Sequence, residues 1–183
     1  MEDGRRTYLL IDGENLDFVL GTILGRKPEP GQRPRWQQLV EFAERRWAQP
    51  VRALFFINAT RGLHAPFVQA LIAMGYRPVP LAGREDEKVV DIGIQRTLEA
   101  LRDRPGDVVL GSHDADFVDG LSALADGERR LAVVGFPEMV SQALRDIAGI
   151  EVLDLESDAG AFEIELPRVR IIPLDEFDPV QFL

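Results

Sequence analysis

The chain alternates between short apolar runs and longer segments in which apolar residues recur every three or four positions. The short runs predict buried strands at 7–11, 51–57, 76–81, 108–110, 131–134 and 150–155. The longer segments predict helices at 16–24, 36–47, 66–74, 88–101, 116–125 and 137–147. Strands that alternate with helices in this way predict an α/β fold, with a mostly parallel sheet covered by helices on both faces. Two prolines in 76–81 place that strand toward an edge of the sheet.

Carboxylates follow two of the predicted strands at the point where each strand ends. Asp12 follows the first strand, and Asp114 and Asp116 follow the apolar run 108–110 after a Gly-Ser pair. Because the carboxyl ends of parallel strands lie at one edge of a sheet, we expect these residues to converge although about a hundred positions separate them. Asp91, in the first turn of a helix entered from the same edge, is expected to join them.

Four carboxylates at one place predict a bound divalent cation. Close carboxylates repel one another unless a cation lies between them. The chain has no cysteine and only two histidines, His64 and His113, which excludes a zinc site built from thiolates or several imidazoles. Oxygen ligands favour magnesium or manganese, which binds a scissile phosphate and lowers the pKa of a bound water molecule. The pattern therefore predicts metal-assisted phosphodiester hydrolysis.

Each of these acidic residues also fits a purely structural interpretation. Asp114 and Asp116 suit the cap of the helix that follows them, and Asp12 suits an ordinary turn. Lys88 and Asp91 have the spacing of an ion pair within one helical turn. The coincidence of all three segments at one edge of the sheet favours a site.

Several polar residues near these carboxylates are candidates for supporting roles. Asn15 and Asn58 are candidates to orient a metal-bound water molecule or a phosphate, and Ser112 is a candidate helix cap. His113 fits a general base or phosphate contact, but it equally fits a hydrogen bond to a neighbouring carboxylate. Three aromatic residues are assigned to the core rather than to base stacking: Trp36, Trp47 and Phe67.

The charge of the chain is unevenly distributed. The formal net charge of -10 argues against a nucleic-acid partner. However, residues 18–84 contain ten basic residues against three acidic ones, whereas residues 106–183 contain five against seventeen. An acidic pocket beside a basic surface suits a nuclease, because the basic surface binds the phosphates that a bare acidic pocket repels. The alternative is that the arginine-rich helices are merely solvated.

The length of 183 residues fits one domain at 1–155 with a C-terminal extension at 156–183. The extension is acidic with scattered apolar residues, which suggests either an added hairpin or an arm that packs on its own or another subunit. The absence of cysteine predicts a cytoplasmic protein. No apolar run has the roughly 20 residues of a membrane span, so no membrane contact is expected.

Three motifs resemble the NYN domains of the PIN-like nuclease superfamily, and within them the LabA-like bacterial proteins. The motifs are Leu-Ile-Asp-Gly-Glu-Asn at 10–15, Lys-Val-Val-Asp at 88–91 and Gly-Ser-His-Asp-Ala-Asp-Phe at 111–117. Their order and approximate spacing match, and the similarity covers residues 7–155. Two departures stand out: His113 replaces a usual glycine, and Asn58 and Thr60 stand where an acidic residue would follow the second strand.

The resemblance implies a PIN-like three-layer sandwich acting as a magnesium- or manganese-dependent ribonuclease, with RNA as its substrate. The residues that it assigns to the metal site are Asp12, Asp91, Asp114 and Asp116, with Asn15 and Ser112 in support and Lys88 near the phosphate. The alternative function is a non-catalytic RNA-binding or regulatory PIN-like module that acts through a protein partner or a homo-oligomer.

Two other folds fit the sequence less well. A Toprim-type fold also pairs a strand-end acid with Asp-x-Asp, but it has glutamate where Asp12 stands and leaves Lys88 and Asp91 unexplained. A dinucleotide-binding fold is disfavoured because no Gly-x-Gly-x-x-Gly follows the first strand.

Overall fold

A computed structural model describes residues 4–169 and 171–183. Its centre is one sheet of six strands in the order β3-β2-β1-β4-β5-β6, and every neighbouring pair runs parallel. The strands are β1 (Thr7–Asp12), β2 (Val51–Asn58), β3 (Tyr76–Leu81), β4 (Asp107–Gly111), β5 (Leu131–Gly135) and β6 (Ile150–Asp154). The predicted α/β fold is confirmed, and β3 lies at an edge as its prolines indicated.

Helices cover both faces of this sheet. They are α1 (Gly13–Leu24), α2 (Trp36–Trp47), α3 (Ala65–Ala73), α4 (Val89–Ala100), α5 (Val118–Ser122) and α6 (Gln142–Arg145). Apolar side chains of α1, α2 and α3 form one buried cluster, and those of α4, α5 and α6 form a second. Successive side chains of β1 pack alternately into the two clusters: Leu9 and Ile11 belong to the first cluster and Leu10 to the second. The domain therefore has three layers.

Two predicted helices are much shorter than expected. The segment predicted at 116–125 is a 3-10 turn (Ala115–Phe117) followed by the short α5. The segment predicted at 137–147 is a 3-10 turn (Pro137–Met139), an extended Val140 and the four-residue α6. The break occurs because the backbone N–H of Ser141 donates to the carbonyl of His113, 3.2 Å away, instead of to a helical carbonyl. Apolar periodicity does not reveal such an exchange of partners.

The strand order places a crevice between β1 and β4. The chain proceeds outward from β1 to β3 and then returns to the other side of β1 as β4. The segments that follow β1 and β4 therefore diverge at the carboxyl edge of the sheet, which is where α/β folds of this kind bind ligands. Asp12 is the last residue of β1, and Ser112 directly follows β4.

At the opposite, amino edge of the sheet, one buried carboxylate binds side chains from several segments. Asp107 has no exposed surface and accepts hydrogen bonds from the guanidinium groups of Arg5 (2.8 Å) and Arg130 (2.7 Å). The amide of Gln49 donates to it at 2.8 Å. Burial by itself raises the pKa of Asp107, but these donors outweigh burial and lower the pKa to about 2.

The predicted C-terminal extension, residues 156–183, packs partly against the residues before it. The side chain of Arg168 is 2% exposed, and its guanidinium forms ion pairs with Glu138, Asp154 and Glu156. It also lies over the ring of Phe136, 4.9 Å from the centroid. The described residues of the extension contain no strand, so they do not form the hairpin that was considered. Residues 171–183 are exposed along their whole length.

Asp107→Asn is expected to lower the free energy of unfolding by about 2 kcal/mol at neutral pH, because it removes the charge that two guanidinium groups bind. A carboxylate whose pKa falls on folding stabilises the folded state above its unfolded pKa of about 4. This stabilisation disappears as the pH falls through the folded value of about 2. Urea denaturation at several pH values should show the difference from wild type shrinking between about pH 4 and pH 2. A difference that does not depend on pH, or one equally large in the exposed control Asp103→Asn, contradicts this account.

Arg168→Ala is expected to cost about 3 kcal/mol of stability, because three largely buried carboxylates lose their common cation. The matched control is Arg35→Ala, which removes an ion pair to Glu163 (3.2 Å) in which both side chains are more than half exposed. Its cost should stay below about 1 kcal/mol. Equal losses of stability in the two variants, measured by urea denaturation, would mean that the Arg168 contacts do not anchor the extension.

Candidate metal centre

Three of the predicted carboxylates meet at the carboxyl edge of the sheet. Asp91, Asp114 and Asp116 each present an oxygen within 4.8 Å of the others. Asp91 lies in the first turn of α4, whereas Asp114 caps the 3-10 turn after β4 and accepts from the backbone N–H of Asp116 at 2.9 Å. The side chain of Gln95 on α4 donates to the carbonyl of Asp116, 3.1 Å away. This bond links the helix to the turn and holds the two halves of the cluster together.

The cluster carries more negative charge than its surroundings neutralise. Burial raises the pKa of Asp91, and the charges of Asp114 and Asp116 raise it further, against a lowering effect of Lys88. The ammonium group of Lys88 lies 3.9 Å from Asp91 Oδ2 and 3.8 Å from Asp116 Oδ2. Its side chain is 75% exposed, so water screens these ion pairs. A cation between the three carboxylates would relieve the remaining repulsion.

The fourth predicted carboxylate, Asp12, is not a member of this cluster. It is 2% exposed and accepts from the Ser112 hydroxyl (3.1 Å) and from the backbone N–H of Asn15 (3.2 Å), which makes it the cap of α1. The Ser112 oxygen in turn accepts from the backbone N–H of Asp114 at 3.3 Å. Burial raises the pKa of Asp12 to about 6 despite these two hydrogen bonds. Asp12 is therefore connected to the cluster through one hydroxyl group.

His113 is buried and both of its ring nitrogens have partners. Nε2 accepts from the backbone N–H of Phe136 at 2.8 Å, so Nδ1 carries the proton and donates to Asn15 Oδ1, also at 2.8 Å. Burial lowers the pKa of His113 to about 4, so the ring is neutral near pH 7. A Cβ at Gly135 would lie 2.5 Å from Nε2, so this fit requires glycine there. The geometry assigns His113 to holding the loop rather than to proton transfer, and Asn15 to orienting His113.

Asn58 lies apart from the cluster, at the exposed end of β2, where its Oδ1 accepts from the backbone N–H of Thr60 at 3.0 Å. Glu14, which the sequence analysis did not select, is closer to the acidic residues. Its pKa is raised by burial and by the charge of Asp91. The sequence feature that indicates Glu14 is its position two residues after Asp12, in the first turn of a helix that begins at the same edge of the sheet.

The basic segment does not form one surface beside the cluster. Arg52 and Arg77 are second residues of β2 and β3, so they lie at the opposite, amino edge of the sheet. Six of the ten basic residues are in ion pairs: Arg26, Arg33, Arg35, Arg45, Arg46 and Arg61. The charge imbalance along the sequence is therefore mostly neutralised locally, which favours the solvated-surface interpretation for these arginines.

The chemistry of the cluster fits a hard divalent cation. All three candidate ligand atoms are carboxylate oxygens, which magnesium and manganese prefer. Burial is the main cause of the raised pKa of Asp91, and the charges of Asp114 and Asp116 add a repulsion that a divalent ion would reverse.

The fold and this cluster together define a PIN-like α/β domain with an acidic site at the switch point of its sheet. The chain belongs to the NYN domain family, whose model matches residues 6–156. NYN domains are part of the PIN-like nuclease superfamily. No curated protein is significantly similar to this sequence. Within the described ranges, no helix combines the length and the apolar character that crossing a bilayer requires.

His113→Ala is expected to lower the free energy of unfolding by about 2 kcal/mol, because it leaves the buried N–H of Phe136 without an acceptor. Thermal denaturation should show a fall in Tm of roughly 4–8 °C. His64→Ala, at the exposed start of α3, is the control and should change Tm little. If the two variants melt at the same temperature, the His113 hydrogen bonds contribute nothing to stability.

Proposed function

We propose that this NYN domain is a metal-dependent ribonuclease that hydrolyses RNA phosphodiester bonds at the acidic cluster. The observation that supports this most directly is the meeting of Asp91, Asp114 and Asp116 within 4.8 Å at the switch point of the sheet. Magnesium or manganese would be held by these three carboxylates, with Asp12 as a fourth acidic residue of the site. When bound, such an ion supplies positive charge at the scissile phosphate and activates water as the nucleophile.

The other residues of the site bind and position. Lys88, with its exposed ammonium beside Asp116, would contact a phosphate oxygen of the substrate as a point charge. Asp12 and Ser112 hold the Asp114 backbone, and Asn15 holds His113, so the loop after β4 keeps its conformation when substrate binds. Asn58, the last residue of β2, would contact the substrate at a point away from the acidic cluster. Membership of the LabA-like group and a cytoplasmic location stay predictions from the sequence.

A second candidate function is a non-catalytic RNA-binding or regulatory module that acts through a protein partner or a homo-oligomer. The exposed apolar side chains of the C-terminal extension favour it. Ile171 is 95% exposed, Leu174 88% and Val180 74%. Water-exposed apolar residues in such density are typical of a contact surface.

Purified protein incubated with a mixed RNA pool should cleave RNA in the presence of manganese or magnesium and stop when the ion is chelated. Asp114→Asn should reduce the rate roughly 100-fold or more, because it removes one of the charges that hold the ion. Asp119→Asn is the matched control, since it makes the same change at an exposed position one helix further on. Cleavage by Asp114→Asn at the wild-type rate would locate the activity elsewhere.

Metal binding has its own readout. Manganese should raise the Tm of the wild type and of Asp119→Asn, but not that of Asp114→Asn, because an ion that binds only the folded state stabilises it. RNA binding that survives chelation, without cleavage under any metal condition, would support the regulatory alternative.

A further inference from the structure

A cavity of about 410 Å³ opens at the carboxyl edge of the sheet, on the β2 side of β1. It lies between the starts of α1, α2 and α3 and the end of β2. The residues that matter for its chemistry are Glu14, Trp36, Phe55, Asn58, His64 and Phe67. Its volume falls in the range of sites for small organic ligands.

Aromatic rings form the inner wall. The ring of Phe55 packs edge-to-face against Trp36 (5.0 Å between centroids, 85°) and against Phe67 (5.5 Å, 82°). A Cβ at Gly13 would come within 2.6 Å of the Phe55 ring, so glycine at the start of α1 makes room for it. Trp36 and Phe67 thus belong to the core, as predicted, and also face a ligand-sized space. Packed aromatic rings offer a planar ligand a rigid apolar surface.

The rim of the cavity is polar. Asn58 Oδ1 is engaged by the N–H of Thr60, whereas its NH2 group makes no hydrogen bond to the residues that the structure describes. The imidazole of His64 is exposed, and Arg33 donates to Asp17 at 2.8 Å. An amide, an imidazole and a guanidinium around an aromatic wall suit a planar heterocycle, whose edge carries donors and acceptors, better than an aliphatic chain.

The cavity adjoins the acidic cluster. Asp12 and Phe56 are partners in the register of β1 and β2, so the cavity wall lies one strand away, roughly 4.8 Å, from the strand that ends in Asp12. Glu14 lines the cavity and follows Asp12 by two residues in the first turn of α1, so the cavity and the end of β1 share this segment. A planar ring in the cavity and a phosphate at the acidic cluster can therefore belong to one and the same RNA strand.

We propose that this cavity binds an unpaired nucleobase of the RNA next to the scissile phosphate. This inference rests on the proposed ribonuclease function. Bases of single strands are free to leave the stack and pack on aromatic side chains, whereas bases of an RNA duplex are paired and inaccessible.

Tryptophan fluorescence tests the cavity separately from cleavage. The chain has two tryptophans, and Trp47→Phe leaves Trp36 as the only reporter. Titration of this variant with AMP or UMP in the presence of a chelator should quench Trp36 saturably, whereas ribose 5-phosphate, which has no base, should not. Adding Phe67→Leu should weaken the quenching roughly 10-fold, because it keeps apolar volume but removes the aromatic face. The matched control is Phe162→Leu, a half-buried aromatic of the same core cluster outside the cavity.

The same reporter distinguishes strand types and separates the two proposals. In an Asp114→Asn background, single-stranded RNA should quench Trp36 and its duplex should not. If no variant cleaves RNA but base-dependent quenching remains, the nuclease proposal fails and the cavity assignment stands. If cleavage occurs but Phe67→Leu and Phe162→Leu bind nucleotide equally, the cavity assignment is wrong. Nucleotide quenching that appears only after Phe177 and Phe182 are replaced by alanine would also overturn the cavity assignment. It would mean that the C-terminal extension occupies the cavity in the unsubstituted chain.

Discussion

The hydrogen bonds that join the end of β1 to the loop after β4 are the constraint on which the site depends. The pairing of β1 with β4 ends at Ile11 and Gly111, and beyond this pair the two segments diverge at the switch point. Asp12 is bound to Ser112, and Asn15 is bound to both the backbone and the ring of His113. These contacts place Asp114 and Asp116 opposite the first turn of α4. The acidic cluster is thus positioned by side chains that do not themselves belong to it, and of these Asp12, Ser112 and His113 are buried.

Carboxyl groups at the two edges of the sheet have pKa values that are shifted in opposite directions. At the amino edge, Asp107 is surrounded by guanidinium and amide donors, and its pKa is lowered. At the carboxyl edge, burial and, to a smaller extent, neighbouring charges raise the pKa of Asp12 despite its hydrogen bonds and that of Asp91 despite the charge of Lys88. A carboxylate with satisfied partners stabilises a fold, whereas carboxylates left in mutual repulsion are characteristic of binding sites. This contrast separates the structural acid from the acids of the proposed site within one domain.

The aromatic cavity and the acidic cluster lie next to each other at the carboxyl edge of the sheet. The start of α1 contributes to both: Asp12 caps the helix, Gly13 leaves room for the ring of Phe55, and Glu14 lines the cavity. The four residues from Asp12 to Asn15 therefore line the cavity, bind the His113 loop and connect to the acidic cluster through the Ser112 hydroxyl.

The sequence by itself determined the strands, the parallel α/β class and the placing of Asp91, Asp114 and Asp116 at one edge. These follow from periodicity and from the common direction of parallel strands, both of which are written along the chain. It did not determine that Asp12 would bind Ser112 rather than join the cluster, that Asn15 would orient His113, or that Val140 would interrupt a helix. Nor did it show that Arg52 and Arg77 would lie at the far edge, or that Trp36 and Phe67 would line a cavity. Those outcomes depend on which atoms distant in sequence come within hydrogen-bonding or packing distance, and only the tertiary structure decides that.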